Sequence, residues 1–303
     1  MNNNELEDLN IDEPEQPSFT NIRISTMTAI SKILYKLPNF KEEQFIGNCC
    51  YDKDDNNINE KPIIDLLTIS KKLKIPNDYG VKYLQYYTIE KGTKKKPKRK
   101  RRQNTKVGRR KVFYNQITLE VQIRADKIVN TKIFTNGQIQ MTGLKSKEDG
   151  LQIIKIVSNI IRDNLNLDIK FSDLNIVLIN SDFVSNFTIN RFILHEILVD
   201  DKIYATYEPC IYPGVNIKIY FNEWNKKKDY RCYCTKYCNG KGKGNGDGDC
   251  KRVSICVFQS GTVIITGASK LNQIDVAYKF ITDVFKKNYY KIKKVKPNLK
   301  SNK

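Results

Sequence analysis

The sequence predicts an α+β protein made of two similar halves, each an antiparallel sheet with helices on one face. The first observation is a repeat, in which VFQSGTVIITGASK at residues 257–270 echoes IFTNGQIQMTGLKS at residues 133–146. The second is that strand-like alternation precedes both copies, and the third is that an amphipathic helical pattern follows both. Each half therefore reads as strand, helix, several strands and a long helix.

The strands before each hairpin are predicted from alternation. TNIRIST at residues 20–26 matches LNIVLIN at residues 174–180, and ITLEVQI at residues 117–123 matches PGVNIKI at residues 213–219. In the second pair of segments every other residue is apolar, which is typical of a strand with one buried face. The apolar sets are Leu119, Val121 and Ile123 in the first half, and Val215, Ile217 and Ile219 in the second.

Helical spacing follows each hairpin. Apolar residues recur every three or four positions over residues 151–165 and again over residues 274–285. Each of these segments is predicted to be a long helix that packs on the sheet of its own half.

The two faces of each hairpin differ in chemistry. One face is apolar or nearly so, which favours burial under the long helix. It carries Ile255, Val257, Val263 and Ile265 in the second copy, and Thr131, Ile133, Ile139 and Met141 in the first. The other face mixes aromatic, polar and basic groups: Cys256, Phe258, Ile264 and Thr266, and Lys132, Phe134, Gln140 and Thr142. On a basic chain this second face predicts a nucleic-acid surface, and the alternative is that its Phe residues lie in a dimer interface or in the core.

The bulk composition limits the function. The 303 residues carry a net charge of +20, which favours an anionic polymer or surface as partner. No apolar run is long enough for a membrane span, and the acidic, polar N-terminus is typical neither of a signal peptide nor of a transit peptide. The single histidine, His195, argues against histidine-based catalysis, and we expect neither enzymatic activity nor a small-molecule substrate.

The chain also contains segments of biased composition. Residues 1–17, with six acidic groups and no basic group, are predicted to be a disordered tail. The predicted organisation is a first repeat at 18–167 with an insertion at about 51–111, a second repeat at 168–292 with a Cys- and Gly-rich insertion at 222–250, and a basic tail at 293–303.

These residues resemble the TATA-box-binding protein family. The family's hallmark hairpin, an apolar residue and Phe followed by Ser-Gly and ending in Thr-Gly-Ala, stands here as VFQSGTVIITGA and, in a weaker form, as IFTNGQIQMTGL. YEPCIYPGVNIKI at residues 207–219 is similar to the family's Tyr-Glu-Pro-x-x-Phe-Pro-Gly strand. The resemblance covers about residues 18–50 and 112–292, and it is strongest to the TATA-box-binding-like proteins of large DNA viruses.

The resemblance implies a fold and a function. The two repeats would form one curved antiparallel sheet, a saddle with helices on its convex face, whose concave face lies in the DNA minor groove. Phe side chains would wedge between base steps and kink the duplex by roughly 80°. The chain would then be a general transcription factor that binds A·T-rich double-stranded promoter DNA and nucleates initiation with other factors and RNA polymerase. The location would be intracellular, in the host nucleus or a cytoplasmic virus factory, or packaged in the virion.

Two other functions compete with this one. The chain could be a non-catalytic architectural or virion protein that binds DNA without promoter selectivity. It could also be an enzyme on DNA, because sheets of this type occur in base-excision glycosylases. The sequence offers no paired acid and base for that chemistry.

The resemblance also assigns residues. Phe258 and Tyr212 would be the wedge pair of the second half, and Phe134 one wedge of the first; its partner aligns near Gln116, for which Phe113 or Tyr114 can substitute. The remaining groove-facing positions would be Thr142, Thr266, Ile264, Gln140, Lys132, Asn21 and Asn175. A polar first half predicts weaker or less selective A·T binding than is usual for the family.

Two further features lie outside the resemblance. Twelve of the eighteen residues at 94–111 are Lys or Arg, including Lys98, Arg99, Arg101 and Arg102. This run is interpreted as a phosphate-binding arm, with a nuclear-localisation signal or a solvated loop as alternatives. Cys232, Cys234, Cys238 and Cys250 fall within nineteen residues. No cofactor is required, but these four thiols either hold a structural zinc or remain unliganded.

Overall fold

The computed structural model of the protein describes residues 16–35, 64–94, 113–167, 169–225, 227 and 229–294. Two compact units divide the chain. We call Ile24–Ile179 the first-repeat unit, and residues 16–23 with 180–294 the second-repeat unit. Within the described ranges, no helix has the length and apolar character needed to cross a membrane.

The first-repeat unit is an antiparallel sheet with two helices. Its strands run in the order β3-β2-β4-β5-β6-β1, and β7 also pairs with β1. The elements are β1 (Arg23–Tyr35), α1 (Leu66–Lys72), β2 (Val81–Tyr86), β3 (Ile89–Gly92), β4 (Gln116–Arg124), β5 (Lys127–Phe134), β6 (Gln138–Leu144), α2 (Lys147–Leu165) and β7 (Ile169–Phe171).

The second-repeat unit has the same architecture. Its strands run in the order β8-β12-β11-β10-β9, and two helices complete it. The elements are β8 (Asn175–Val184), α3 (Arg191–Asp200), β9 (Tyr204–Thr206), β10 (Val215–Phe221), β11 (Lys251–Val257), β12 (Thr262–Ala268) and α4 (Leu271–Ile292). The predicted α+β class with two repeats is confirmed, and the saddle that would join them stays a prediction.

In each unit the helices cover the face that alternation predicted. The apolar residues of both hairpins and Thr131 beside them are fully buried. Helix α2 packs against β6 and β4, and α4 packs against β11 and β12. The opposite face of each hairpin is mostly half-buried. We call it the open face of its unit.

Both hairpins turn through a glycine with positive φ, 76° at Gly137 and 84° at Gly261. In each, the glycine N–H donates to the carbonyl of the Phe three residues earlier, at 3.0 Å from Gly137 to Phe134 and 3.1 Å from Gly261 to Phe258. A Cβ at Gly261 would lie 2.6 Å from Ser185 Oγ, so glycine is required there both for φ and for space. The two Phe residues are thus placed by equivalent turns.

The junction between each hairpin and its long helix uses one buried side chain in the first helical turn. In the first-repeat unit Asp149 accepts from the N–H of Lys145 at 2.8 Å and from Arg124 at 2.7 Å. In the second, Gln273 accepts from the N–H of Ser269 at 2.9 Å. Asp149 is 1% exposed and Gln273 is fully buried, so the same role is charged in one repeat and neutral in the other.

The structure corrects the predicted extent of the first insertion. Residues 64–94, which fall within the proposed insertion at 51–111, fold into α1 and the β2–β3 hairpin, and β2 pairs with β4. Leu66, Ile69 and Leu84 lie in the core of the unit. Helix α1 occupies the place in its repeat that α3 occupies in the second, so this part of the segment is an integral element.

The division between the units also differs from the predicted boundary at 167/168. Strand β7 pairs with β1 within the first-repeat unit, and the second unit begins at Asn180. Near the other end of the chain, the Asn186 side chain donates to the carbonyl of Gln16 at 3.3 Å, inside the predicted disordered tail. Most of that tail, and of the predicted basic tail at 293–303, lies outside the described residues.

Candidate nucleic-acid interface

The second-repeat open face carries an aromatic pair at the hairpin. The rings of Tyr212 and Phe258 lie 5.8 Å apart at 62°, and Tyr212 is 40% exposed. Burial raises the pKa of Tyr212 to about 12, and the hydrogen bond from its hydroxyl to the Cys256 thiol acts in the same direction. The hydroxyl therefore has a polar partner, and the cost of burying it is reduced.

Gly214 lies beneath this pair. A Cβ there would be 3.0 Å from Tyr212 Cε1 and 3.2 Å from Phe258 Cε1, which is tighter than ordinary van der Waals contact. The absence of a side chain at Gly214 thus allows the two rings to approach the sheet together.

The first-repeat open face carries a single ring at the equivalent place. Phe134 ends β5 and is half-buried, and its partner in the pairing of β4 with β5 is Gln116. Among the residues that the structure describes, no aromatic ring contacts Phe134, and Phe113 and Tyr114 are 54% and 77% exposed. The wedge position therefore holds a pair in one repeat and a lone ring in the other.

Strand register refines which residue corresponds to Tyr212. Thr118 pairs with Lys132 in the first-repeat unit, and Asn216 pairs with Cys256 in the second. Tyr212 stands four residues before Asn216, and the residue four before Thr118 is Tyr114. Register therefore favours Tyr114, and not Gln116, as the counterpart of Tyr212.

The same register aligns two rows of side chains across each open face. In the second-repeat unit Asn216, Cys256 and Ile264 form one row, and Lys218, Ser254 and Thr266 form the next. In the first-repeat unit the matching rows are Thr118, Lys132 and Gln140, and Glu120, Asn130 and Thr142. The predicted groove residues Lys132, Gln140 and Thr142 thus lie in the two rows of the first-repeat unit, and Ile264 and Thr266 lie in the matching rows of the second.

The second row of the second-repeat unit is linked by hydrogen bonds. Lys218 Nζ donates to Ser254 Oγ at 2.9 Å, and Thr266 donates to the side-chain oxygen of Asn180. Burial lowers the pKa of Lys218, and repulsion from Arg252 adds to that effect. The hydroxyl and ammonium groups are therefore held in fixed places on the open face.

Lys218, Asn180, Asn216 and Glu120 were not predicted as site residues. The sequence did contain a signal for three of them, because alternation places residues 120, 216 and 218 on the face opposite the apolar sets. The side-chain oxygen of Asn216 is buried without a hydrogen-bond partner.

The other predicted contact residues fall into two groups. Asn21 and Asn175 are exposed, Asn21 two residues before β1 and Asn175 at the start of β8. Lys98, Arg99, Arg101 and Arg102 lie outside the described residues. Lys94 is described, and its Nζ lies 5.4 Å above the ring of Tyr83.

The four predicted metal ligands come together in the segment between β10 and β11. The sulfur atoms of Cys232, Cys234, Cys238 and Cys250 all lie within 4.8 Å of one another. Cys256 is separate from this group, since it lies on the open face beside Tyr212.

Comparison with known proteins supports the family assignment made from the hairpin motifs. No protein-family model matches the chain. A protein of Acanthamoeba polyphaga mimivirus, named TATA-box-binding protein-like, is 34% identical over an alignment of 223 residues, and the alignment covers 66% of this chain and 52% of that protein. The predicted resemblance is confirmed. The chain spans about half the length of the curated relative that it matches.

Solved structures that are similar to this chain were also found. Methanococcus jannaschii TBP aligns with 88% of this chain and 99% of its own length, at 18% identity and a TM-score of 0.47.

Proposed function

We propose that this chain is a non-catalytic TATA-box-binding-like transcription factor that inserts its open faces into the minor groove of A·T-rich promoter DNA and bends it. The observation that carries the proposal is the placement of Phe134 and Phe258. Both stand at equivalent glycine turns, on the face away from the helices, and both are half-buried. Rings sealed under α2 and α4 would be unable to reach a base step.

The energetics of a wedge explain why exposed rings matter. Unstacking a base step costs a few kcal/mol, and apolar contact in the opened step offsets that cost. The Tyr212–Phe258 pair presents two adjacent rings for this contact, and Phe134 presents one. Two wedges at two turns would kink the duplex at two places, which accounts for the duplicated hairpin.

Polar groups on the open faces suit the minor groove of A·T pairs. That groove presents the acceptors adenine N3 and thymine O2, and guanine adds a donor. The hydroxyl of Thr142 and the ammonium groups of Lys132 and Lys218 can donate to those acceptors, whereas the single hydroxyl proton of Thr266 is already donated to Asn180. Because minor-groove readout is degenerate, these contacts favour A·T over G·C without specifying a longer sequence.

The net charge of +20 supplies attraction that does not depend on sequence. We propose that the basic run at 94–111 is an arm that follows the phosphate backbone. Each phosphate that it neutralises should add about 0.9 to the slope of log K against log salt. Deleting residues 94–111 should therefore flatten the salt dependence, and an unchanged slope would refute the arm.

The first-repeat open face is more polar than the second, because Lys132 and Gln140 stand where Cys256 and Ile264 do. We therefore propose that A·T selectivity is modest and that electrostatics supply much of the affinity. High-affinity preference for A·T-rich DNA that persists at high salt would contradict this. On binding promoter DNA the chain would recruit initiation factors and RNA polymerase, in the nucleus or in a cytoplasmic virus factory.

The direct test is fluorescence anisotropy with two labelled duplexes of equal length, one A·T-rich and one G·C-rich, over a range of salt. The proposal predicts tighter binding to the A·T-rich duplex, and loss of that preference in the variant F134A/F258A. The matched control is V177A, which removes an exposed apolar side chain on β8 away from both turns. Equal binding to both duplexes by the wild type would overturn promoter selectivity.

That last result would favour the second candidate, an architectural protein that coats DNA without choosing sites. The polar, lysine-bearing first-repeat face and the high net charge are the observations in its favour, since both act through the backbone. An architectural protein would keep the steep salt dependence and show no A·T preference.

A further inference from the structure

We infer that Cys232, Cys234, Cys238 and Cys250 bind one zinc ion, and that this ion holds the segment between β10 and β11 in its folded conformation. The inference is independent of DNA binding, because none of the four cysteines lies on the open face.

The distances between the sulfur atoms fit a tetrahedral site. A zinc ion with four thiolates at about 2.3 Å requires sulfur–sulfur separations of about 3.8 Å. Sγ of Cys250 lies 3.3 Å from Sγ of Cys234 and 3.7 Å from Sγ of Cys232, and all pairs are within 4.8 Å. These separations bracket the tetrahedral value, and they exceed the 2.05 Å of a disulfide bond.

The surroundings of the cluster provide the hydrogen bonds that metal-bound thiolates accept. Asn222 Nδ2 lies 3.4 Å from Sγ of Cys250. The backbone N–H groups of Gly240 and Cys250 donate to Sγ of Cys238. Such outer contacts orient ligands and stabilise the negative charge that four thiolates share with one divalent ion.

Apolar packing contributes little to the shape of the segment, which is otherwise held by hydrogen bonds such as those that Asp247 accepts from the Thr235 N–H and Asp249 accepts from the Lys243 and Asn245 N–H groups. Of the described residues at 222–250, only Gly240, Gly244 and Cys250 are buried, so no apolar core exists within it. The run GKGKGNG at residues 240–246 contains four glycines, and glycine gives the backbone large conformational freedom. A metal that binds the folded form and not the unfolded form supplies the missing stabilisation.

Contacts with the rest of the second-repeat unit show what the ion would fix in place. The ring of Tyr230 lies 4.8 Å from that of Phe280 on α4, and Gln273 Nε2 donates to the carbonyl of Lys243 at 3.2 Å. Strand β10 enters the segment and β11 leaves directly from Cys250. The zinc site therefore joins two strands of the sheet to the helix that covers them.

The test begins with metal analysis of the full-length protein purified under reducing conditions with zinc present. One zinc per chain is expected. The variant C232S/C250S should contain almost none, and the control C210S, which alters an exposed cysteine outside the cluster, should keep it. Less than about half an equivalent in the wild type, or zinc retained by C232S/C250S, would overturn the inference.

Measurements on the wild-type protein test the inference even if the double variant fails to fold. Cobalt substituted into the wild type should give the charge-transfer and visible bands of a tetrahedral four-thiolate site, and octahedral or oxygen-rich spectra would contradict it. Removing zinc with a chelator should expose four additional reactive thiols and speed hydrogen exchange at residues 222–250 while β12 stays protected. Disulfide bonds among the four cysteines, detected by mass before reduction, would also overturn it.

Discussion

The two open faces share a backbone plan and differ in their side chains. By strand register, Lys132 is equivalent in position to Cys256, Gln140 to Ile264 and Glu120 to Lys218. The equivalent residues Thr142 and Thr266 are both threonine. The second face combines an aromatic pair with apolar floor residues, whereas the first combines a lone ring with polar and charged ones. We therefore propose that the second repeat supplies most of the wedge energy and that the first contributes mainly hydrogen bonds.

The largest expected effect is a difference between two Phe variants. F258A should weaken binding to A·T-rich DNA by about 2–3 kcal/mol, because it removes one ring and leaves Tyr212 without its neighbour. F134A should cost about 1 kcal/mol, at the low end for one stacked base. Titrations at one salt concentration measure both, with F258L and F134L as controls that keep apolar volume. Equal losses, or a larger loss for F134A, would remove the proposed division between the repeats.

The helix junctions predict a difference in acid stability. Although burial opposes it, the Lys145 N–H and the Arg124 guanidinium hold the pKa of Asp149 below its usual value. A depressed folded pKa stabilises the fold fully above the unfolded value, about 3.9, and this contribution is lost as pH falls through the folded pKa. Gln273 does not titrate, so the first-repeat unit should loosen first as pH falls below 4.

The variant D149N tests this directly. It should lower the free energy of unfolding at neutral pH by about 1.5–3 kcal/mol, the range for hydrogen bonds to a charged group. It should also reduce the acid dependence below pH 4. Hydrogen exchange resolved by segment makes the measurement. The variant Q273A gives the loss in free energy of unfolding when the uncharged side chain at the equivalent junction is removed. Loosening of β11 and β12 before β5 and β6 in acid would contradict the assignment.

Gly214 offers a way to disturb the aromatic pair without removing it. G214A should displace both rings, and the loss in DNA affinity should be about 1 kcal/mol, the lower end of the usual overpacking cost. G246A is the matched control, since a Cβ there meets nothing within 4 Å. If G214A binds DNA as tightly as G246A does, the pair is not a rigid wedge.

The counterpart of Tyr212 in the first repeat can be decided by two substitutions. Y114A should weaken DNA binding by about 1 kcal/mol or less, because one exposed ring is lost. Q116A should have little effect. The reverse order would show that the position opposite Phe134 acts in binding and that register does not identify the wedge partner.

The smallest expected effect is a gain in DNA-binding affinity. Glu120 stands where the second repeat has Lys218, and a carboxylate is repelled both by phosphates and by the groove acceptors of A·T pairs. E120Q should tighten binding about twofold to fivefold, the scale of an exposed charge interaction worth about 0.2–1 kcal/mol. The gain should shrink as salt is raised. Weaker binding by E120Q would mean that the carboxylate contacts a donor in the complex.

Much of the fold follows from alternation. The apolar faces of both hairpins, the glycine turns and the helices after them were predicted, because burial and positive φ leave clear traces in a sequence. The positions of helix α1 and of the β2–β3 hairpin were missed, because YGVKYLQYYTIEKG lies beside the basic run and the whole segment was interpreted as an insertion. Because the flanking segments contain few apolar residues, the packed helix and hairpin between them were not recognised in the sequence.

The candidate site was predictable where a motif was strong and less so elsewhere. VFQSG and IYPG marked Phe258 and Tyr212, and the structure brings their rings together. Gln116 came from matching residues 117–123 with residues 213–219, whereas the strand register makes Ile117 equivalent to Val215, which is a shift of two residues. Asn180 was missed because its contact with Thr266 depends on strand pairing, which a single sequence does not specify, whereas alternation alone placed Asn216 on the open face.

The central claim is that rings on the open faces of both repeats enter the duplex and bend it. Energy transfer between dyes at the two ends of a short A·T-rich duplex measures this most directly. Wild-type protein should shorten the end-to-end distance, F134A should shorten it less, and F134A/F258A should bind without shortening it. Tight binding by the wild type with no change in that distance, or equal shortening by the double variant, would show that the rings do not bend the duplex.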